Sequence, residues 1–161
     1  MHEGTAVKLT SAGSSAGATV TREAKLSDDV SITALLHQLG YEVTQALIHE
    51  KLRALISSPT DKILVAAIND EVIGSVSLHA IPLFHMTGFL GRITSMVVDE
   101  RRRGIGAGSA LIATAEEWFG AVGCVKLEVT SADHRHGAHR FYEMHGFLRD
   151  GQRLSKKITH Q

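Results

Sequence analysis

Hydrophobic positions recur with two periods between Thr19 and Ser131, and each change of period marks an element. TVTREAK, residues 19–25, alternates as a short strand, and Ser27-Asp28-Asp29 reads as a helix N-cap with acids in the first turn. Ile32, Leu35, Leu36 and Leu39 then keep helical spacing up to Gly40, a C-cap residue. A second helix carries Val43, Leu47, Ile48, Leu52, Leu55 and Ile56 and stops before Pro59. KILVAAIN and VIGSVSLHAI read as two strands, and the turn residues Asn69-Asp70-Glu71 between them predict a hairpin. PLFHMTGF, residues 82–89, leads into a strand from about Leu90 to Val98; its Phe84, His85 and Met86 suit a substrate-facing group or a packed corner equally well.

From Ala110 to Ala121 a helix turns Leu111, Ile112, Ala115, Trp118 and Phe119 mostly to one side and closes at Gly123. CVKLEVTS, residues 124–131, follows as a strand, with Val125, Leu127 and Val129 alternating against Lys126, Glu128 and Thr130. Strand, helix, strand in this order is a βαβ unit, so its two strands run parallel. The small, polar, glycine-rich residues 1–18 have too little apolar bulk to order themselves and are expected to form a disordered arm before a single domain over residues 19–161.

Seventeen basic and seventeen acidic residues leave no net charge, which argues against a general nucleic-acid or membrane binder. Cys124 is the single cysteine, so no internal disulfide forms, and its apolar neighbours suit a small buried hydrophobe better than a nucleophile. No stretch approaches the ~20 apolar residues of a membrane helix. A cytoplasmic protein is expected.

One local anion site stands out in ITSMVVDERRRGIGAGSALI, residues 93–112. Glycines at 104, 106 and 108 leave backbone N–H groups bare at the start of a helix, whose positive dipole end suits phosphate. A P-loop needs Gly-Lys-Ser/Thr, and no lysine lies between Lys62 and Lys126. A dinucleotide fingerprint opens directly from a strand, whereas Asp99 to Arg103 intervene and Ser109 occupies the third glycine's place.

Arg103-x-x-Gly106-x-Gly108, followed by Leu111-Ile112, resembles the pyrophosphate loop of the GCN5-related N-acetyltransferases, Gln/Arg-x-x-Gly-x-Gly/Ala. The alternative register, Arg101-x-x-Gly104-x-Gly106, would put Ser109 and Ala110 where that apolar pair belongs. Arg101 and Arg102 are then expected as a basic rim. A second segment, DHRHGAHRFYEMHGF, resembles the family's Asn-x-x-Ala-x-x-x-Tyr and Gly-Phe pair at Ala138, Tyr142, Gly146 and Phe147, with Arg135 in the asparagine's place.

The resemblance implies an α/β fold of the GNAT acyl-CoA N-acyltransferase kind: a mixed, twisted sheet of six or seven strands, helices on both faces, and a splay between two central parallel strands. It implies acetyl transfer from acetyl-CoA, as cosubstrate, to a primary amine by direct attack in a ternary complex. Met96, Val97 and Val98 would pair with the pantetheine arm through their backbone. Arg103, Gly104, Ile105, Gly106, Ala107, Gly108, Ser109 and Arg135 would hold the rest of the cofactor, and a backbone N–H at a Val97–Val98 bulge would polarise the acetyl carbonyl.

In the same way Tyr142 is implied as general acid, because the departing thiolate, with a solution pKa near ~8.5, needs a proton. Ribosomal-protein alanine acetyltransferases of this family carry a similar Leu-Glu-Val, which makes Glu128 the candidate base, directly or through water, with a pKa raised by its surroundings. His79 and His85 are alternatives, since histidine titrates in the right range. The expected partners are acetyl-CoA and an unidentified amine, with neither nucleic acid nor membrane, and a homodimer is the assembly allowed for. A non-catalytic acyl-CoA-binding module would keep the glycine loop and lose the acid and base. His134, His136, His139 and His145 invite a metal, but His134 and His136 precede the helix on which His139 and Glu143 share a face, so three converging ligands would need an unusual bend and no metal is expected.

Overall fold

The computed structural model describes residues 17–131 and 135–160, so the expectation of a disordered arm falls almost wholly outside it. Five strands form one sheet in sequence order: β1 (Val20–Glu23), β2 (Asp61–Ile68), β3 (Glu71–Pro82), β4 (Phe89–Val98) and β5 (Cys124–Val129). Successive pairs are antiparallel except β4 and β5, which run parallel as the βαβ pattern requires. Six or seven strands were expected; among the described residues there are five, because the chain after Phe147 adopts no regular structure up to His160. Asn69 and Asp70 both take positive φ, 49° and 66°, the two left-handed residues of a tight hairpin turn.

The period-2 alternation sorts β2 between two cores. Leu64 and Ala66 join Ile73, Val76, Leu78 and Ile93 beneath Leu111, Ile112, Ala115 and Phe119 of helix α3 (Ala107–Val122). Val65 and Ile63 face the other way, against Ile32 of α1 (Asp29–Gln38) and Ile48 and Leu52 of α2 (Gln45–Ile56). Helices therefore cover both faces. Each fully buried side chain of this kind, Phe119 at 1% exposure among them, contributes roughly 1.5–3 kcal/mol.

The helix starts differ in part from expectation: α2 begins at Gln45, after the Val43 expected within it, and α1 has Asp28 as N-cap without a side-chain capping bond. The Thr44 hydroxyl accepts from the Leu47 N–H at 3.2 Å to start α2, and Gly40 (φ 97°) and Gly123 (φ 100°) end α1 and α3 in the left-handed region that glycine enters without strain. Val125 departs from the expected alternation. One extra β5 residue sits between the pairs Phe89↔Cys124 and Leu90↔Lys126, and this bulge leaves Val125 exposed while Leu127 and Val129 still reach the core. Phe84 and Met86 are exposed on the β3–β4 turn, at the end of β4 remote from the glycine loop, and so form neither a packed corner nor part of the cleft described below.

Candidate active site

β4 and β5 part company halfway. Their ladder ends at Ile93↔Val129, yet β4 continues to Val98 while β5 stops. The gap is a cleft of about 40 Å³ walled by Ile93, Thr94, Ser95 and Met96 from β4, Val129 to Ser131 from β5, Leu39 and Tyr41 after α1, and Arg135 and Tyr142.

The expected backbone trio divides. The Asp99 N–H donates to the Ile73 carbonyl at 2.7 Å, and strand backbone groups alternate sides, so Val97 also turns to β3. Met96 and Val98 turn to the open side. The bulge expected at Val97–Val98 is elsewhere: Ser75↔Val97 and Gly74↔Val98 pair without interruption, and the irregularity lies at Thr94, between Leu78↔Ile93 and Ser77↔Ser95. Its physical cause is legible in the pleat. Ile93 and Met96 both pack toward α3, three residues apart, which an even alternation forbids and one extra residue permits. The extra residue sends both Thr94 and Ser95 to the opposite face, beside Ser77 and His79 of β3.

At the carboxyl end of β4 the chain makes one 3₁₀ turn (Glu100–Arg102), then the glycine loop, then α3. Gly104 (φ 79°) and Gly106 (φ 90°) are both left-handed, and a Cβ on either would meet nothing within 4 Å, so the space before them is open. Among the described residues, none of the N–H groups from Gly104 to Ser109 donates to a protein acceptor; the first bond of α3 is Ala110 to Gly106. Such a row of free amides at a helix N-terminus fits a pyrophosphate. Gly108 serves packing instead, since a Cβ there would stand 3.1 Å from the Phe141 ring of α4 (His136–Met144).

The triple arginine is not a uniform rim. Arg101 folds back on the buried Asp99 carboxylate at 2.9 Å, and Arg102 pairs with Glu71 at 2.9 Å. Arg101's guanidinium and backbone N–H hold Asp99 down at about 2. Among the described residues the Arg103 side chain hydrogen-bonds only the Val98 carbonyl, at 3.4 Å.

Tyr142 packs edge-on against Phe141 and Phe147, with ring centroids at 5.4 and 5.6 Å, on the α3 side of the cleft. Burial pushes its phenol above the ordinary value, against a smaller downward pull from Arg135, so the proton stays on. His145 ties this helix to the loop through Ser109 Oγ at 3.0 Å. Glu128 lies on the other face, outside the cleft walls, with its carboxylate 3.6 Å from Arg92 and 3.7 Å from Lys126.

His136 and His139 have ring centroids 6.2 Å apart and His145 turns away to Ser109, while His134 lies outside the described residues. Among the described residues no three metal-ligating side chains converge. Cys124 sits at the core's edge, and burial raises its thiol pKa, as suits a packing residue. No described helix is long and apolar enough to cross a membrane.

Sequence reasoning missed Thr94, Ser95, Leu39 and Tyr41 in the cleft. The adjacent polar pair Thr94-Ser95 inside an otherwise apolar strand was the available signal of a bulge. Leu39 and Tyr41 carried none, because α1 meets β4 only in three dimensions.

The sequence model of the Acetyltransferase (GNAT) family matches residues 31–147. The chain is 31% identical over 138 residues to an aminoalkylphosphonate N-acetyltransferase from Salmonella typhimurium, covering 85% of this chain and 90% of that protein. Among solved structures it resembles a transcriptional regulator from Bacillus halodurans C-125, with TM-score 0.79, 21% identity, 88% of this chain and all of that one. It likewise resembles glucosamine-6-phosphate N-acetyltransferase from Arabidopsis thaliana, with TM-score 0.77, 22% identity, 88% of this chain and 99% of that one. At these identities the two structures bear on the fold alone.

Proposed function

The chain belongs to the GNAT family of acetyltransferases, and from that premise we propose that it transfers the acetyl group of acetyl-CoA to the primary amine of a small acceptor by direct attack. The observation that carries this reading is the cleft between β4 and β5, with an unpaired amide cradle at one end and a protonated, half-buried tyrosine in its wall. The amides of Gly104, Ile105, Gly106, Ala107, Gly108 and Ser109, with the Arg103 guanidinium, are suited to the pyrophosphate. Met96 and Val98 offer backbone groups to the pantetheine arm, and Val97 supports them from within the ladder. Arg135 adds a positive charge in the same wall.

Tyr142 is the proposed acid. Its phenol holds its proton until the thiolate leaves, then donates it. For the base, two groups stand on the acceptor's face of the sheet, Glu128 and His79. An aminoalkylphosphonate is the first acceptor class to test, because the relative at 31% identity is named for it.

Free-thiol release from acetyl-CoA across a panel of primary amines tests the reading. Turnover is expected with a small amine, and Tyr142→Phe should lower kcat by ~10²-fold or more with CoA affinity nearly intact. Tight acyl-CoA binding with no thiol release for any amine would favour a non-catalytic binding module instead.

A further inference from the structure

An ammonium must lose a proton before it can attack a thioester, and the structure offers it a route. His79 Nδ1 lies 2.6 Å from Asp61 Oδ1, and His79 Nε2 lies 2.8 Å from Thr94 Oγ1. Asp61 is anchored in turn. Its other oxygen accepts from Ser58 Oγ at 2.6 Å and Thr60 Oγ1 at 3.3 Å. Although desolvation works against it, hydrogen bonds from Ser58 and His79 and the neighbouring imidazole hold Asp61 below the ordinary carboxylate range.

An ionised carboxylate can only accept, so the neutral imidazole donates its Nδ1–H to Asp61 and turns the Nε2 lone pair to the Thr94 hydroxyl. Thr94 is the bulge residue of β4, exposed, and part of the cleft wall. Thr94, two residues after Arg92, shares the face of Arg92's partner His79, and the bulge brings Ser95 to the same face. Three strands and one irregularity therefore converge on a single hydroxyl. Ser77 Oγ, 2.7 Å from both Thr94 Oγ1 and Ser95 Oγ, fixes the orientation of that hydroxyl from the side.

We propose that Asp61, His79 and Thr94 form a proton relay that deprotonates the acceptor amine, with Thr94 the residue that touches the substrate. This rests on the acetyltransferase reading and names its base. The ammonium N–H proton moves to Thr94 Oγ1 as the Thr94 hydroxyl proton moves to His79 Nε2, which leaves a free amine, an unchanged threonine and an imidazolium beside the Asp61 carboxylate. The amine lone pair then forms the C–N bond. As the C–S bond breaks, the sulfur receives one proton, from Tyr142, which is restored by the second proton lost from the amine nitrogen. The imidazolium proton goes to solvent. The balance is one ammonium and one thioester giving one amide, one thiol and one proton.

The other charged groups about His79 are few. Asp61 faces it from β2, Arg92 is its partner on β4, and Glu128 lies behind Arg92 on β5. Glu128 already answers Arg92 and Lys126, so it balances charge at the site's margin, while the imidazole keeps its Nε2 lone pair for the hydroxyl.

The test is kcat/KM against pH with the acceptor found active in the thiol-release panel. In the parent, kcat/KM should reach its plateau well below the amine's own pKa. His79→Gln and Thr94→Val should each lower it by ~10²-fold near neutrality and convert the profile to one rising with the free-amine fraction. Thr94→Ser restores the hydroxyl and should restore the plateau; Glu128→Gln should leave the shape of the profile unchanged. A purely structural role would lower the melting temperature without reshaping any profile. Profiles for His79→Gln and Thr94→Val that differ from the parent by a constant factor, or a profile reshaped only by Glu128→Gln, would overturn the relay while leaving the transfer reaction standing. A parent that releases no thiol with any amine would overturn both.

Discussion

Replacing Gly106 by alanine isolates the glycine loop from every other feature of the site. Gly106 is the N-cap of α3 with φ 90° and ψ 3°, and a Cβ built there meets no protein atom within 4 Å. The protein itself thus offers no clash. What remains is the backbone term: holding an L-residue in the left-handed region costs about 1–2 kcal/mol. For a domain of this size each kcal/mol moves the melting temperature by about 2–4 °C, so Gly106→Ala should melt roughly 2–8 °C below the parent. With CoA at ~100 times its Kd, the parent should gain about 2.7 kcal/mol. In the variant that gain should shrink sharply, because the new methyl stands in the open space before the amides that would cradle the pyrophosphate.

Gly120→Ala in the same helix is the control. Its Cβ also meets nothing within 4 Å, but the position is ordinary helix interior, so the change should stabilise by about 0.5–1 kcal/mol and leave the CoA shift intact. Thermal melts with and without CoA read both quantities. If Gly106→Ala melts with the parent and keeps the full CoA shift, neither the strain nor the cradle stands.

Gly91→Ala tests the core. Its Cβ would lie 2.6 Å from Leu127 Cδ2 and 2.7 Å from Phe119 Cδ1, and Phe119 is 1% exposed and cannot step aside. Such overpacking costs about 1–3 kcal/mol, read as a lower melting temperature with CoA affinity retained by calorimetry. Asp99 gives a pH signature. Its folded pKa of about 2 lies below the usual 3.8, so its contribution is fully present above about pH 4 and fades as pH falls toward 2. Asp99→Asn should therefore destabilise at pH 7 and much less at pH 2.5. An equal loss at both would show that the carboxylate's charge is not what matters.

Local chemistry was enough for most elements, because local rules decide them. Asn69-Asp70 needs a tight turn wherever it occurs, Gly40 and Gly123 end helices without help, and the βαβ order fixes a parallel pair between β4 and β5. The glycine loop was legible for the same reason, as its free amides and positive φ values belong to one short stretch. What the tertiary structure alone decided is where side chains from different strands meet. A single extra residue at Thr94 reverses which face its neighbours occupy, and periodicity cannot say which strand of a pair will absorb it. That reversal puts Thr94 and Ser95 on one face, where the β2–β3 register has already brought Asp61 and His79, eighteen residues apart, to the Thr94 hydroxyl. It also falls to packing that Arg102 pairs with Glu71, thirty-one residues away, since a partner that distant in the chain leaves no trace in spacing.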